Sequence, residues 1–507
     1  MDRTELSRKD LPWLLSLLLI GLVLLIAFYG HAHRLTHGRD GVPLDDAWIH
    51  FQFARNLARG DGFAFNPGEP TAGSTAPLWT VILAAAYRVG ARFPIAGQAL
   101  SGISFLAVLP ATFTLGKRLT RRCWLAWLSA ALVALNGRMV WAGLSALETP
   151  LFTALSLTAI LAHLQDRSRP AGRYRALTVA LFGLAALSRP EGYLLFALAM
   201  ADLAYVKTRQ KSPPRRTVVD LLQASAIFGL IVLPYLIFSW RTSGHLLPNT
   251  YHAKAVASSR PSVETLSIAA RYLILDNALL LPAVLLGGIA LIARAPLISV
   301  WSFGLPLIYA FLQVTLYQHG RYLMPLIPLN AVMGAVGLVA LRNLARRRGW
   351  FQSIERPVLM GSVVTILILT ATAWRLPAMA RQYALNVDNI NEMHVDMAYW
   401  VRDHVDPGTP VALNDIGAIA YIAQRPVIDL AGLVTPEVIP ILRRPDRETH
   451  LAQFLEERDV NYVVIFPNWF PELAAHSEFE RLHQERLETN TIAGGERMAA
   501  YYAHWQR

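Results

Sequence analysis

Two adjacent carboxylates, Asp45 and Asp46, open the stretch PLDDAWIHFQFARNLARGDG between Pro43 and Gly62. A carboxylate can take a proton from a hydroxyl or share a hard cation. Neighbouring residues on a helix point about 100° apart, so the two acids cannot aim at one atom along parallel directions. The expected division is that Asp45 caps the helix and Asp46 faces a cavity. The plainer alternative is that both favour the positive helix end. Trp48, Phe51, Leu57 and Phe63 follow, which suggests a helix lying in a membrane interface.

A second acid, Glu148, stands in SALETPLF. Pro150 suits an early helix position, so Glu148 could serve only as a helix N-terminal acid. Paired with Asp46 it could instead hold a divalent cation (Mg, Mn or Ca) or surround an acceptor hydroxyl. The cationic candidates are Arg189 in LSRPEG, His245 and Lys254 in HLLPNTYHAK, and His319 and Arg321 in YQHGRY. They could neutralise a phosphate, the guanidinium groups bidentately, or merely anchor span ends to headgroups. Glu69 adds a further acid, and Glu191 reads as a partner for Arg189. No Cys or His cluster has zinc-like spacing. No Gly-rich phosphate loop or dinucleotide fingerprint is present, and no nucleotide cofactor is expected. Cys123, the single cysteine, reads as a packing residue.

These residues need a scaffold, and composition names its class. The 507 residues are 54% hydrophobic and 16% charged, with a mean hydropathy of +0.35. Soluble chains carry about 25% charged residues, so a polytopic α-helical membrane protein is expected. Leu11 to Gly30 is uncharged and about long enough to cross the hydrocarbon core. It is not read as a signal peptide, because no small-residue cleavage site follows and many further spans do. The net charge of +12 gathers in short loops between apolar runs, which marks cytoplasmic loops rather than a nucleic-acid partner.

With Arg3, Arg8 and Lys9 inside, Asp45 and Asp46 lie outside. Pro77 to Val89 is short, and as a span it would place GKRLTRR outside. It is therefore read as lying along the outer face, like the helix before it. Strict alternation then gives about eleven spans, an external loop at 31–93 and a membrane module at 1–379. After about Met379 the pattern changes to alternating helix and strand, with VALND, PVIDLAGL and NYVVIFP as strands. Residues 380–507 are expected to form an extracytoplasmic α/β domain. The expected location is the plasma (inner) membrane. Five external segments then bring acids and bases to one side.

An acidic pair on the first external loop, an amphipathic helix after it, many spans and an external C-terminal domain resemble the GT-C superfamily. These are membrane glycosyltransferases that use polyprenyl-phosphate sugars. DDAWIHFQFARNLARGDGFAFNPGE, with GSTAPLW after it, resembles the branch of bacterial arabinofuranosyltransferase-like proteins. The protein mannosyltransferases and the aminoarabinose transferase of lipid A are more distant relatives. LETPLF, LSRPEG, LLPNTYHAK, NDIGAIAY and VIDLAGL are similar to patterns of the same branch. The resemblance implies that a first-loop Asp is the catalytic base or helps hold a metal. That role falls on Asp45 or Asp46, with Asp46 preferred. Glu148 occupies the place of a second acid where several relatives have Asp.

The reaction this implies is a single inverting displacement. A hydroxyl of an external glycan, lipid or protein attacks the sugar of a polyprenyl-phosphate donor, with membrane lipids as the other partners. Two rival classes are a transporter of lipid-linked sugars and a membrane-anchored glycan-binding protein with Asp415 and Asp429 in a sugar pocket. A transporter should show repeated halves and polar groups near mid-membrane, and a dozen spans would be excessive for an anchor.

Overall fold

The computed structural model describes residues 6–167, 174–246, 248–249, 260–348 and 357–505. The chain begins with α1 (Leu11–Leu35), and the first loop carries α2 (Asp46–Arg59) and α3 (Pro77–Arg88). Then come α4 (Ile95–Thr120), α5 (Cys123–Ala134), α6 (Gly137–Gly143) and α7 (Thr149–Asp166). They are followed by α8 (Ala176–Ser188), α9 (Glu191–Arg209) and α10 (Pro214–Ser243). Later helices run over Val263–Asn277, Leu281–Ile292, Pro296–Phe311, Ile327–Arg347 and Pro357–Ala373. Leu376–Ile390 passes through a π-helical turn, Asn391–Val395, into Asp396–His404.

Among the described residues six helical stretches are long and apolar enough to cross a membrane. The pair α5 and α6, bent by 65°, makes a seventh. The expectation of about eleven spans is thus not met by length and composition. Every expected segment is helical, but α8 and Pro296–Phe311 are short. Helices α7 and α9 bury polar groups instead, among them His163, Asp166, Asp202 and Lys207. Leu15, Leu19, Leu22, Val23 and Ile26 of α1 are exposed, as are Leu230, Leu233 and Ile237 of α10. Such bare apolar faces belong in lipid. Inside the bundle, Leu281–Ile292 meets Ile327–Arg347 backbone to backbone. A Cβ on Gly287 would lie 1.8 Å from the Met333 carbonyl, and one on Gly337 1.8 Å from that of Ala283. Small residues permit this approach where burial from water drives nothing.

The C-terminal sheet has five strands: β1 (Val411–Leu413), β2 (Val427–Asp429), β3 (Tyr462–Ile465), β4 (Phe479–Arg486) and β5 (Arg497–Ala503). Their order is β2-β1-β3-β5-β4. β1 pairs in parallel with β2 and β3, while β5 runs antiparallel to β3 and β4. Helices Gly417–Ala423 and Arg447–Glu457 make the parallel crossovers. One core holds Leu451, Leu455 and Phe470. The other contains Met393, Met397 and Val401 together with Phe53 and Phe65 of the first loop. The first loop is therefore part of the domain's own core. Asn66 extends the sheet edge, its side chain accepting from the Val427 N–H and donating to the Val427 carbonyl.

This corrects the expectation of an interfacial α2. Trp48 and Phe51 are buried. Phe51 stacks on Phe93 with ring centres 4.3 Å apart, and Trp48 leans on Tyr421 of the C-terminal domain at 5.4 Å. The aromatic stripe of α2 is a contact between bundle and domain.

Candidate active site

Asp45 and Asp46 do diverge, but not as the capping rule anticipates. Asp45 makes no side-chain cap on α2. Its two carboxylate oxygens accept the Gly417 and Ala418 N–H groups, each at 2.7 Å, from 372 and 373 residues away. It thus closes the start of the helix Gly417–Ala423. Glycine is required there, since a Cβ on Gly417 would sit 2.3 Å from the Asp45 carbonyl oxygen. Burial pushes the Asp45 carboxyl up from its usual range; His394 opposes the shift and Asp415 adds to it.

Asp46 forms an ion pair with Arg321 Nη2 across 275 residues. Arg321 is buried, while the Asp46 side chain keeps 29% of its surface exposed. The segment carrying Arg321, Gln318–Leu326, is irregular: His319 and Gly320 sit at φ 59° and 61°. Arg138 of α6 grips this turn. Its Nε donates to the His319 carbonyl and its Nη2 to that of Gly320, both at 2.8 Å. Its Nη1 pairs with Asp276, and the Tyr272 ring centre lies 4.0 Å from its guanidinium carbon. Asn136, which caps α6, donates to the other Asp276 oxygen at 3.1 Å.

The second acid stands at the start of α7. Glu148 accepts from Arg189 Nη1 at 2.8 Å and lies 3.5 Å from His50 Nε2. Arg189 also bonds Thr149 Oγ1 at 3.2 Å and Glu191 at 2.8 Å, and the Tyr309 hydroxyl donates to Glu191. His50 follows Asp46 by four residues on α2, which places both on one face. The Tyr322 ring centre lies 4.9 Å from the Arg189 guanidinium carbon and 5.2 Å from that of Arg321. Asp46, Arg321, Arg189, Glu148 and His50 therefore form one charge ring, in which two acid–arginine pairs meet across Tyr322 and His50 joins Glu148. Burial would raise the Glu148 carboxyl, but the His50 hydrogen bond and the Arg189 and Arg321 charges outweigh it and hold the group down at about 2. Arg321 Nε, His50 Nδ1 and Trp48 Nε1 are buried without a hydrogen-bond partner.

Four of the expected residues are thus brought together: Asp46, Glu148, Arg189 and Arg321. His319 turns its side chain to Asn386, at 2.8 Å, and stands edge-on to Trp141, so it braces the Arg321 turn. His245 is exposed beyond the end of α10, its carbonyl bonded by Ser239. Lys254 lies outside the described residues. Of the expected metal pair, Asp46 faces Arg321 and Glu148 faces Arg189 and His50. Asp429 lines no sugar pocket: it is buried and accepts the Ala431, Leu433 and Val434 N–H groups in the turn after β2. Asp415 pairs with His394 Nε2 at 2.9 Å. The residues missed in the sequence are His50, Tyr322, Arg138 and His394. The spacing of four from Asp46 was a readable signal for His50; the others had none.

A family model described as a domain of unknown function (DUF8728) matches residues 383–506. No curated protein matches the chain. Among solved structures, ArnT from Cupriavidus metallidurans in the apo state is 13% identical with a TM-score of 0.60, covering 96% of this chain and 97% of its own. ArnT bound to undecaprenyl phosphate is 12% identical with a TM-score of 0.60, covering 97% and 98%. Arabinofuranosyltransferase AftD from Mycobacteria is 17% identical with a TM-score of 0.52, covering 98% of this chain but 42% of AftD. Over nearly its whole length, therefore, this chain has the fold of ArnT.

Proposed function

We propose that this protein is an inverting glycosyltransferase that moves a sugar from a polyprenyl-phosphate donor to a hydroxyl of an extracytoplasmic glycan, lipid or protein. The observation that carries the reading is the meeting of a half-open acid, Asp46, with a buried arginine, Arg321, whose Nε has no partner. A donor phosphate competes with Asp46 for Arg321 and satisfies that donor. Arg189, behind the Tyr322 ring, adds positive potential, and Lys254 belongs to the same reading. Released from its partner, Asp46 takes the acceptor's proton. The acceptor oxygen bonds the anomeric carbon as the bond to the phosphate oxygen breaks. The electron pair leaves with the polyprenyl phosphate, whose growing charge the guanidinium groups stabilise. Glu148, held as an anion by Arg189 and His50, orients the arginines rather than acting as base. The likeness in fold to a protein solved with undecaprenyl phosphate supports this donor class.

Charge distribution supports an external site. Helices α4, α7, α9 and Ile327–Arg347 all begin near the charge ring and end at basic residues or beside them: Lys117 and Arg118, Arg167, Lys207 and Arg209, Arg346 and Arg347. Basic ends face the cytoplasm. The test is incubation of purified protein with polyprenyl-phosphate sugars and mixed acceptors. Release of polyprenyl phosphate with sugar on the acceptor is expected from the native chain and not from Asp46→Asn. Movement of intact donor across vesicles without such release would replace this reading with a transporter.

A further inference from the structure

We propose that Asp45, His394 and Asp415 bind a first-row divalent cation of the Mn²⁺ or Zn²⁺ type that staples the first loop to the C-terminal domain. The three come from distant segments: the residue before α2, the π-helical turn, and the connection after β1. One ligand atom from each lies within 4.8 Å of the other two. Ligands about 2.0–2.3 Å from an ion stand roughly 3–4 Å apart, so small side-chain shifts suffice to surround it. Two carboxylates with an imidazole suit a borderline ion rather than Ca²⁺ or Mg²⁺, which prefer oxygen alone.

The charge around this cluster differs from that of the Asp46 ring. Asp46 and Glu148 each face an arginine. Among the described residues the only ion pair recorded for either Asp45 or Asp415 is with His394. Asp415 pairs with the imidazole and Asp45 is held by the Gly417 and Ala418 N–H groups, so two carboxylates have one cationic side chain between them in a place where Asp45 and His394 are buried. Buried charge of one sign demands a counter-charge. The Asp415 side chain, 29% exposed, gives an entry path and room for water ligands. His394 Nδ1 and the neighbouring Asn414 Nδ2 are buried without partners, so the polar groups at this junction are incompletely satisfied by the protein itself. π-Helical turns recur at functional sites. An ion here fixes the start of α2 and, through the next peptide, Asp46. The site does not depend on the sugar-transfer reading.

The test uses the full chain in detergent, stripped with a chelator and dialysed against Mn²⁺ or Zn²⁺. Bound metal is counted by mass spectrometry, and thermal unfolding is followed by tryptophan fluorescence. One ion per chain and an upward shift in Tm of several degrees are expected. Asp415→Asn and His394→Gln should each weaken binding at least tenfold and lose the shift, whereas Glu69→Gln, at an exposed first-loop acid, should keep both. Absence of stoichiometric metal in the native chain, or native-like binding by folded Asp415→Asn, overturns the proposal.

Discussion

The two ends of the helical bundle both bury charge, and they treat it differently. At the end away from the charge ring Asp10, Asp166 and Asp202 are closely partnered, and Asp220 meets Lys207 more loosely, at 3.4 Å. Asp10 accepts Lys117 Nζ at 2.6 Å and the Ser7 N–H at 2.7 Å. Asp202 takes Arg167 and His163, both at 2.6 Å, and Asp166 takes the Thr178 hydroxyl at 2.6 Å. At the other end, about 27 Å away along the 18 residues of α7, Asp46 is partly open and three buried donors or ring nitrogens are unpartnered. An unmet buried donor costs about 1–3 kcal/mol. Side chains that are fully paired hold helices together; side chains left short of partners are fitted to something that arrives.

That contrast breaks if substitutions at the two ends behave alike. Asp46→Asn should lower the transfer rate by roughly 10²–10⁴-fold while Tm changes less, because the Asp46 side chain is 29% exposed to water and the Glu148 charge still acts on Arg321. Asp202→Asn should do the reverse. It strips the charge from a buried Arg167 and His163, with a stability loss on the order of 3 kcal/mol and a near-native rate in the molecules that remain folded. Paired measurements of turnover and Tm decide between these outcomes, and a large activity loss in a stable Asp202→Asn would erase the distinction.

Arg138 tests the boundary between the two kinds of site. It contacts neither Asp46 nor Glu148 in its recorded bonds, yet it grips the two carbonyls before Arg321. Arg138→Ala should raise the donor KM about 10- to 100-fold by letting Arg321 drift, the scale expected when a group that orients a site is lost. Arg138→Lys should recover little, since one ammonium cannot serve both carbonyls and Asp276. An unchanged KM would make Arg138 purely structural.

The smallest effect concerns acid. The Glu148 carboxyl is held at about 2, below its ordinary 4.5. A depressed pKa adds stability that is fully present above 4.5 and is lost as pH falls toward 2. Tm of the native chain should therefore fall between pH 4.5 and 2, and Glu148→Gln should flatten that part of the profile. An equal fall in the Gln variant would assign the acid sensitivity elsewhere.

Much of the site was legible along the chain. Asp46, Glu148, Arg189 and Arg321 stand out because ionisable residues interrupt segments that are otherwise apolar, and helix polarity puts their segments at one end. His50 was legible by its spacing and was passed over. Asp45 was not legible, because its partners Gly417 and Ala418 lie in another domain. The burial of Trp48 and Phe51 was hidden for a related reason: an amphipathic stripe looks the same whether lipid or protein covers it. The count of about eleven spans goes beyond the six or seven that length and composition support among the described residues, because the other expected segments form helices that are too short or too polar to pass on their own.

By itself the amino-acid sequence determined that the chain is membrane-embedded, that its last part is a mixed α/β domain, and which segments carry its unusual charges. Hydropathy, helix period and strand alternation are local properties, readable within a window of a turn or two. Only the tertiary structure decided that Asp45 serves the domain while Asp46 serves Arg321, and that Arg138 holds the turn that carries Arg321. Adjacent side chains diverge on a helix, and their partners stand hundreds of residues away, where no local pattern records the pairing.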